Sequence, residues 1–283
     1  MYYITIITII SCTDIETYFP FKGEKTMFIR SERSIKEFMQ FYPIVSGFII
    51  IYLSLWLIID FLQLPIGQFL YLKGVGNNFL IHQGEYWRLI TPMFLHGGMM
   101  HVLFNSFSLV LFGPALEQML GKVKFILAYM GAGLIGNLAT YFLGPGDIFY
   151  SHVGASGAIY GLFGIYIYMV VFRKELIDQA SSQIIVVIFV IGLVMTFVQS
   201  NINVFGHIFG FIGGMAIAPL VLANVDPYSH LRPRRRKQNE GEISFDPNRW
   251  KRRRVPSHIK KKIFWIAIGI LIILGLLNKV GIL

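Results

Sequence analysis

Cysteine is almost missing from this chain: Cys12 is the only one. An intramolecular disulfide and a cysteine-built metal cluster are therefore excluded. Cys12 also lies far in sequence from every other reactive group, which argues against a cysteine nucleophile. Charge is scarce as well. Asp, Glu, Lys and Arg make up 14% of the 283 residues, against roughly 25% in a soluble domain. No internal repeat and no pair of Pro-broken spans is evident, so an inverted-repeat transporter is disfavoured. Residues 1–12 are apolar, but no basic residue precedes them and they are too short to span a bilayer. We expect residues 1–26 to be dispensable or an upstream misassigned start, with Met27 as the second possible start.

What is present is apolar sequence, 55% of the chain, gathered into long runs. Spans are expected over 43–64, 101–120, 125–143, 155–172, 183–198, 204–223 and 263–277, so the chain reads as an all-α polytopic membrane protein. Residues 65–100, with Gly74, Gly76, Gly84, Gly97 and Gly98 and the cluster Glu85-Tyr86-Trp87-Arg88, are too long for a turn and too aromatic for a linker; such loops are usually ordered. Four divisions follow: an N-terminal cytoplasmic segment 1–42, a six-span core 43–223, a basic connection 224–262 and a seventh transmembrane helix 263–283.

The net charge of +10 is local, since thirteen of the 25 Lys and Arg lie within 232–262. Other basic residues lie before span one (Arg30, Arg33, Lys36), after span two (Lys122, Lys124) and after span four (Arg173, Lys174), connections that all fall on one side. The other side has few: Lys73 and Arg88 in the long loop, and Lys279 at the end. The positive-inside rule then puts the N-terminus in the cytoplasm and the C-terminus outside. The 232–262 segment reads as a topology anchor held against anionic lipid, and no nucleic-acid partner is expected.

Polar groups inside spans are costly and default to functional hypotheses. Ser156 opens the fourth span within Gly154-Ala155-Ser156-Gly157, next to unpaired backbone N–H groups and the positive end of the helix dipole. Its bland alternative is an N-cap. Gly157, Tyr160, Gly161 and Gly164 form one stripe of that helix, which allows close helix packing. His207, Gly210 and Gly214 share a face of span six, so that packing would bring His207 toward Ser156. His101 and Asn105 are four apart on span two, with His96 just before it. A serine hydroxyl needs a base, which His207 can be. A tetrahedral intermediate needs oxyanion donors, which the Asn105 amide, the His101 ring and the Ser156 N–H can be. Tyr160, one turn from Ser156, is placed to stack on His207. Neither Asp60 nor Asp147 is a convincing third member, so the site reads as a dyad.

These motifs resemble those of rhomboid intramembrane serine proteases. Gly154-Ala155-Ser156-Gly157 is similar to that family's nucleophile motif, His101-x-x-x-Asn105 to its oxyanion motif, and His207-x-x-Gly210-x-x-x-Gly214 to its base motif. Trp87-Arg88, His96 and Glu117 resemble further family positions. The resemblance covers about 84–223. It implies a six-helix core with a water-filled cavity open to the outer side, plus one extra C-terminal helix. It also implies cleavage of other proteins' transmembrane segments without a cofactor. Trp87 and Arg88 are expected to anchor the loop at the headgroup level, and Glu117 to make structural hydrogen bonds near the inner surface. The expected location is a multi-pass position in a cell membrane, by preference a bacterial plasma membrane. The competing reading is a non-catalytic membrane protein that binds client transmembrane helices on the same fold.

Overall fold

The computed structural model describes residues 27–28, 32, 34–144, 146–199, 202–228 and 262. The expected dispensable start over 1–26, Arg30 and Arg33, nearly all of the 232–262 basic segment and the seventh span over 263–283 lie outside the described residues.

The described chain is a helix bundle whose central pair runs parallel. The main elements are α1 (Ile35–Phe41), α2 (Pro43–Trp56, continued by a wider turn over Leu57–Phe61), α3 (Pro65–Gly74) and α4 (Asn78–His82). They continue with α5 (Met99–Leu120), α6 (Lys122–Leu143), α7 (Ser156–Phe172), α8 (Gln179–Val198) and α9 (Val204–Val221). Five helical segments are long and apolar enough to cross a membrane: Pro43–Phe61, α5, α6, α8 and α9. The sixth, α7, is apolar but has only 17 residues. It rises roughly 25 Å, somewhat less than the ~30 Å hydrocarbon core. The first span ends earlier than the expected residue 64. Its last turn widens and Gln63 adopts a φ of 49°, after which Pro65 starts α3.

α7 is the centre of the bundle, buried continuously from Ala158 to Tyr166. Against it lies α9, backbone on backbone. A Cβ on Gly210 would overlap the Gly157 carbonyl, one on Gly214 the Gly161 carbonyl, and one on Gly164 the Phe211 carbonyl. α6 joins on another side, where a Cβ on Gly136 would sit 2.6 Å from the Gly206 oxygen. Lipid is as apolar as leucine, so close van der Waals contact of this kind is what drives helix association there.

Polar ties fix the ends of the helices. Glu117, near the end of α5, accepts the Ile44 and Val45 N–H groups at 2.9 Å each. It thereby caps the start of α2, where donors lack partners and the dipole favours an anion; this is the structural role expected for it. The Lys124 ammonium approaches the Val221 and Ala223 carbonyls at 3.5 Å, and Arg173 Nη1 donates to Leu222 O at 3.2 Å. Two cations thus meet the C-terminal end of α9, the end that favours positive charge. Asp178 caps α8 by accepting the Ser181 N–H at 2.8 Å.

Residues 65–100 are ordered, as expected, and fold into short helices and turns. The structure corrects one expectation about them. Arg88 is not at the surface; it is 2% exposed, donating to Glu85 at 2.6 Å and to the Val75 carbonyl at 2.7 Å. A guanidinium offers five donors in a rigid fork, so it serves as an internal clamp on the loop. Trp87, half exposed, donates to Lys73 O at 3.1 Å. The loop is fastened to the bundle by Asn137 Nδ2, which donates to Leu89 O at 2.8 Å. A two-residue antiparallel pairing completes the join: β1 (Gly76–Asn77) against β2 (Ser151–His152), with Gly76 opposite His152.

Two predictions follow from this packing. Gly214→Ala should lower the stability of the purified protein by roughly 1–3 kcal/mol, the usual penalty for overpacking. Gly47→Ala, where an added Cβ meets nothing within 4 Å, should stay within about 0.5 kcal/mol; thermal unfolding in detergent distinguishes the two. The second concerns His152, buried with neither ring nitrogen hydrogen-bonded among the described residues. Burial lowers its pKa from 6.5 to about 4. The unfolded chain therefore binds a proton that the folded chain refuses, and stability is lost as pH falls from about 6.5 toward 4. His152→Leu should flatten that part of the stability profile, and an unchanged slope would refute the assignment.

Candidate active site

Ser156 is the first residue of α7, and Ala155, not the serine, occupies the cap position. The capping alternative for Ser156 is thereby replaced. Gly154 precedes it with φ +127°, a conformation that side chains rarely adopt. Its N–H donates to Pro92 O at 2.9 Å. The absence of a side chain there is spatial as well as conformational. A Cβ on Gly154 would lie 2.6 Å from His101 Nε2 and 3.7 Å from Ser156 Oγ. The His101 ring therefore packs directly against Gly154, with Ser156 Oγ beside the same glycine.

His101 is held at its other nitrogen. The Gly97 N–H donates to His101 Nδ1 at 3.3 Å. A nitrogen that accepts carries no proton, so the neutral ring holds its hydrogen on Nε2, the atom that abuts Gly154. Asn105, one turn on, is buried, and its Nδ2 donates to His101 O at 2.9 Å. One amide hydrogen is used there and a second is left. Ser156 also contributes its own N–H, because the first N–H groups of a helix have no partner within it.

His207 lies in the first turn of α9, buried, with its ring stacked on Tyr160 at 4.1 Å between centroids and 17° between planes. Tyr160 and Ser156 are four residues apart on α7 and share a face, so the stacked imidazole lies on the face that carries the serine. The start of α9 is fixed by Asn203. Its Oδ1 accepts the Gly206 N–H at 2.9 Å, and its Nδ2 donates to Thr140 Oγ1 of α6 at 2.9 Å.

His96 packs against this group without joining it through a hydrogen bond among the described residues. Its ring lies 4.9 Å from that of Tyr52 and 5.1 Å from that of His101. Burial, and secondarily the neighbouring His101, lower its pKa to about 3, so it is a neutral wall of the site. Asp147 is occupied locally by the Phe149 N–H at 2.8 Å. Among the described residues no three His, Cys, Asp or Glu side chains converge as metal ligands do.

The partner of His207 Nδ1 is a residue that the sequence did not single out. It is the Thr196 hydroxyl of α8, at 2.9 Å. Thr196 is 1% exposed and also meets Tyr160 Oη at 2.8 Å and Gly192 O at 2.9 Å. The only sequence signal was a hydroxyl inside an apolar span. Threonine in a helix commonly satisfies itself on the carbonyl four residues back, so that signal is weak.

Comparison with known proteins gives the family. The Rhomboid domain family matches residues 83–224. YdcA, a rhomboid-family protein of Bacillus subtilis, is 47% identical over 194 residues, covering 68% of this chain and 94% of its own. The rhomboid protease GluP of the same organism is 41% identical over 145 residues, 51% of this chain and 28% of that longer protein. Rhomboid-like protease 2 of Toxoplasma gondii is 32% identical over 168 residues, 57% of each chain. The matched region spans the histidine–asparagine pair of α5, the serine at the start of α7 and the histidine of α9. This multi-pass membrane chain belongs to the rhomboid family of intramembrane proteases.

Proposed function

We propose that the chain is a serine endopeptidase that hydrolyses peptide bonds in or near transmembrane segments of other membrane proteins. Ser156 is the nucleophile and His207 the base. The observation that carries this reading is the meeting, around Gly154, of a serine oxygen and an imidazole whose donor nitrogen is fixed. A scissile carbonyl bound beside Gly154 would meet Ser156 Oγ on one side. On the other, its oxygen meets the His101 Nε2–H, the free Asn105 amide hydrogen and the Ser156 N–H.

The steps then follow from the residues. His207 takes the hydroxyl proton as Ser156 Oγ attacks the carbonyl carbon, and the oxygen charge that develops is received by donors already in place. The imidazolium returns the proton to the leaving amine. Water, activated by the same ring, then releases the acyl group and restores the serine. No cofactor enters this route. The position of Ser156 at the start of α7, beside the long loop, supports it, because a serine there is reached by water through the loop and by substrate from the lipid.

The same reading places the chain in a bacterial plasma membrane with its N-terminal side cytoplasmic. Support comes from the basic residues at one end of the bundle, where Lys124 and Arg173 meet the end of α9, and from the identity with a Bacillus subtilis protein. In this orientation the 232–262 segment faces anionic lipid.

The test is cleavage of a reporter transmembrane substrate by purified protein in liposomes. Wild type should cut, while Ser156→Ala and His207→Ala should be silent but folded. Asn105→Ala should lose on the order of 10²–10³ in kcat, the usual cost of one oxyanion donor. A fluorophosphonate should label wild type on Ser156 and leave Ser156→Ala unlabelled. Continued cutting by Ser156→Ala would overturn the reading. A folded wild type that retains helices yet neither cuts nor labels would instead favour a client-binding protein.

A further inference from the structure

A histidine serves as a base only if the nitrogen that faces the nucleophile is free of hydrogen, and stacking on Tyr160 does not choose between the two ring nitrogens. The surroundings of Thr196 do. Its hydroxyl has one hydrogen and two lone pairs. Three groups lie around Oγ1: Gly192 O at 2.9 Å, Tyr160 Oη at 2.8 Å and His207 Nδ1 at 2.9 Å. A carbonyl oxygen can only accept, so the Thr196 hydrogen goes to Gly192 O. Both lone pairs remain, and both neighbours must then donate: Tyr160 through its O–H and His207 through an Nδ1–H.

We propose that Thr196 is the positioning residue of this site. By accepting the Nδ1 proton it fixes His207 as the tautomer whose Nε2 lone pair is free, and by accepting from Tyr160 it holds the stacked ring in the same frame. This inference rests on the assignment of His207 as the base. The same hydroxyl keeps its role through the reaction, because the imidazolium also donates from Nδ1 and nothing has to rotate. The two histidines of the site are thus set oppositely by what meets their Nδ1 atoms. At His101 a backbone N–H donates to Nδ1 and leaves a donor at Nε2. At His207 a hydroxyl accepts from Nδ1 and leaves an acceptor. Both partners are fixed protein groups.

Two measurements on the full-length protein in liposomes test this. The first is the ¹⁵N spectrum of histidine-labelled protein, with the His207 signals identified by their loss in His207→Gln. Wild type should show a protonated Nδ1 and an unprotonated Nε2, and Thr196→Val should show the two forms mixed. The second is cleavage kinetics. Thr196→Val should lower kcat roughly 10- to 100-fold, the span expected for a hydrogen bond to a charged group. KM should stay within twofold and thermal unfolding near that of wild type. Thr196→Ser, which keeps the hydroxyl, should recover most of the rate. A wild-type His207 protonated on Nε2, or a Thr196→Val enzyme within twofold of wild-type kcat, would overturn the role of Thr196 while leaving the dyad standing. An active Ser156→Ala would overturn the dyad itself, and with it this role.

Discussion

The contact between α7 and α9 is the constraint on which the rest depends. Burying apolar surface gives helices no preference for one another over lipid, so association relies on close approach and on polar groups that find partners. Here Gly157, Gly161 and Gly164 on one helix and Gly206, Gly210 and Gly214 on the other leave backbone against backbone. That separation sets the distance from α9 to the α7 face carrying Ser156 and Tyr160. With a side chain between the helices, the His207 ring could not lie 4.1 Å from Tyr160. The glycines are therefore part of the chemistry, although none of them reacts.

A second layer of organisation comes from the long connection between α2 and α5. It covers the end of the bundle where α7 starts, and several of its polar groups find partners within the protein. The Arg88 clamp, the Asn137 bond to Leu89 O and the bond from Gly154 N–H to Pro92 O tie it to both α6 and the approach to Ser156. The last of these holds Gly154 where the His101 ring takes the place of a side chain. A loop that would be peripheral in a soluble protein here forms one wall of the site.

Much of this was legible from the residues. Long apolar runs marked the spans, and small residues at spacings of three and four marked the face between α7 and α9. His101 and Asn105, four apart, had to share a helix face. The stacking of Tyr160 on His207 followed once those helices were placed together. What stayed hidden depended on which partner a polar group finds. Arg88 beside Trp87 resembles an interfacial pair, and only the fold shows the guanidinium turned inward onto Val75 O. Thr196 bonds the carbonyl four residues back, as a threonine in any helix does. The two further partners come from helices that no sequence spacing relates to it. The early end of the first span reflects the wider turn at Leu57–Phe61, which apolar composition does not reveal.

The tight seam between α7 and α9 also changes how this protein must be surveyed. Scanning by alanine assigns importance by what is lost when atoms are deleted. At Gly154, Gly210 and Gly214 the essential property is empty space, and alanine is there the enlargement, one methyl group placed where a carbonyl or an imidazole already sits. A truncation scan would give its strongest signals at positions with nothing to truncate. The map it returned would trace the space between helices more faithfully than the groups that react.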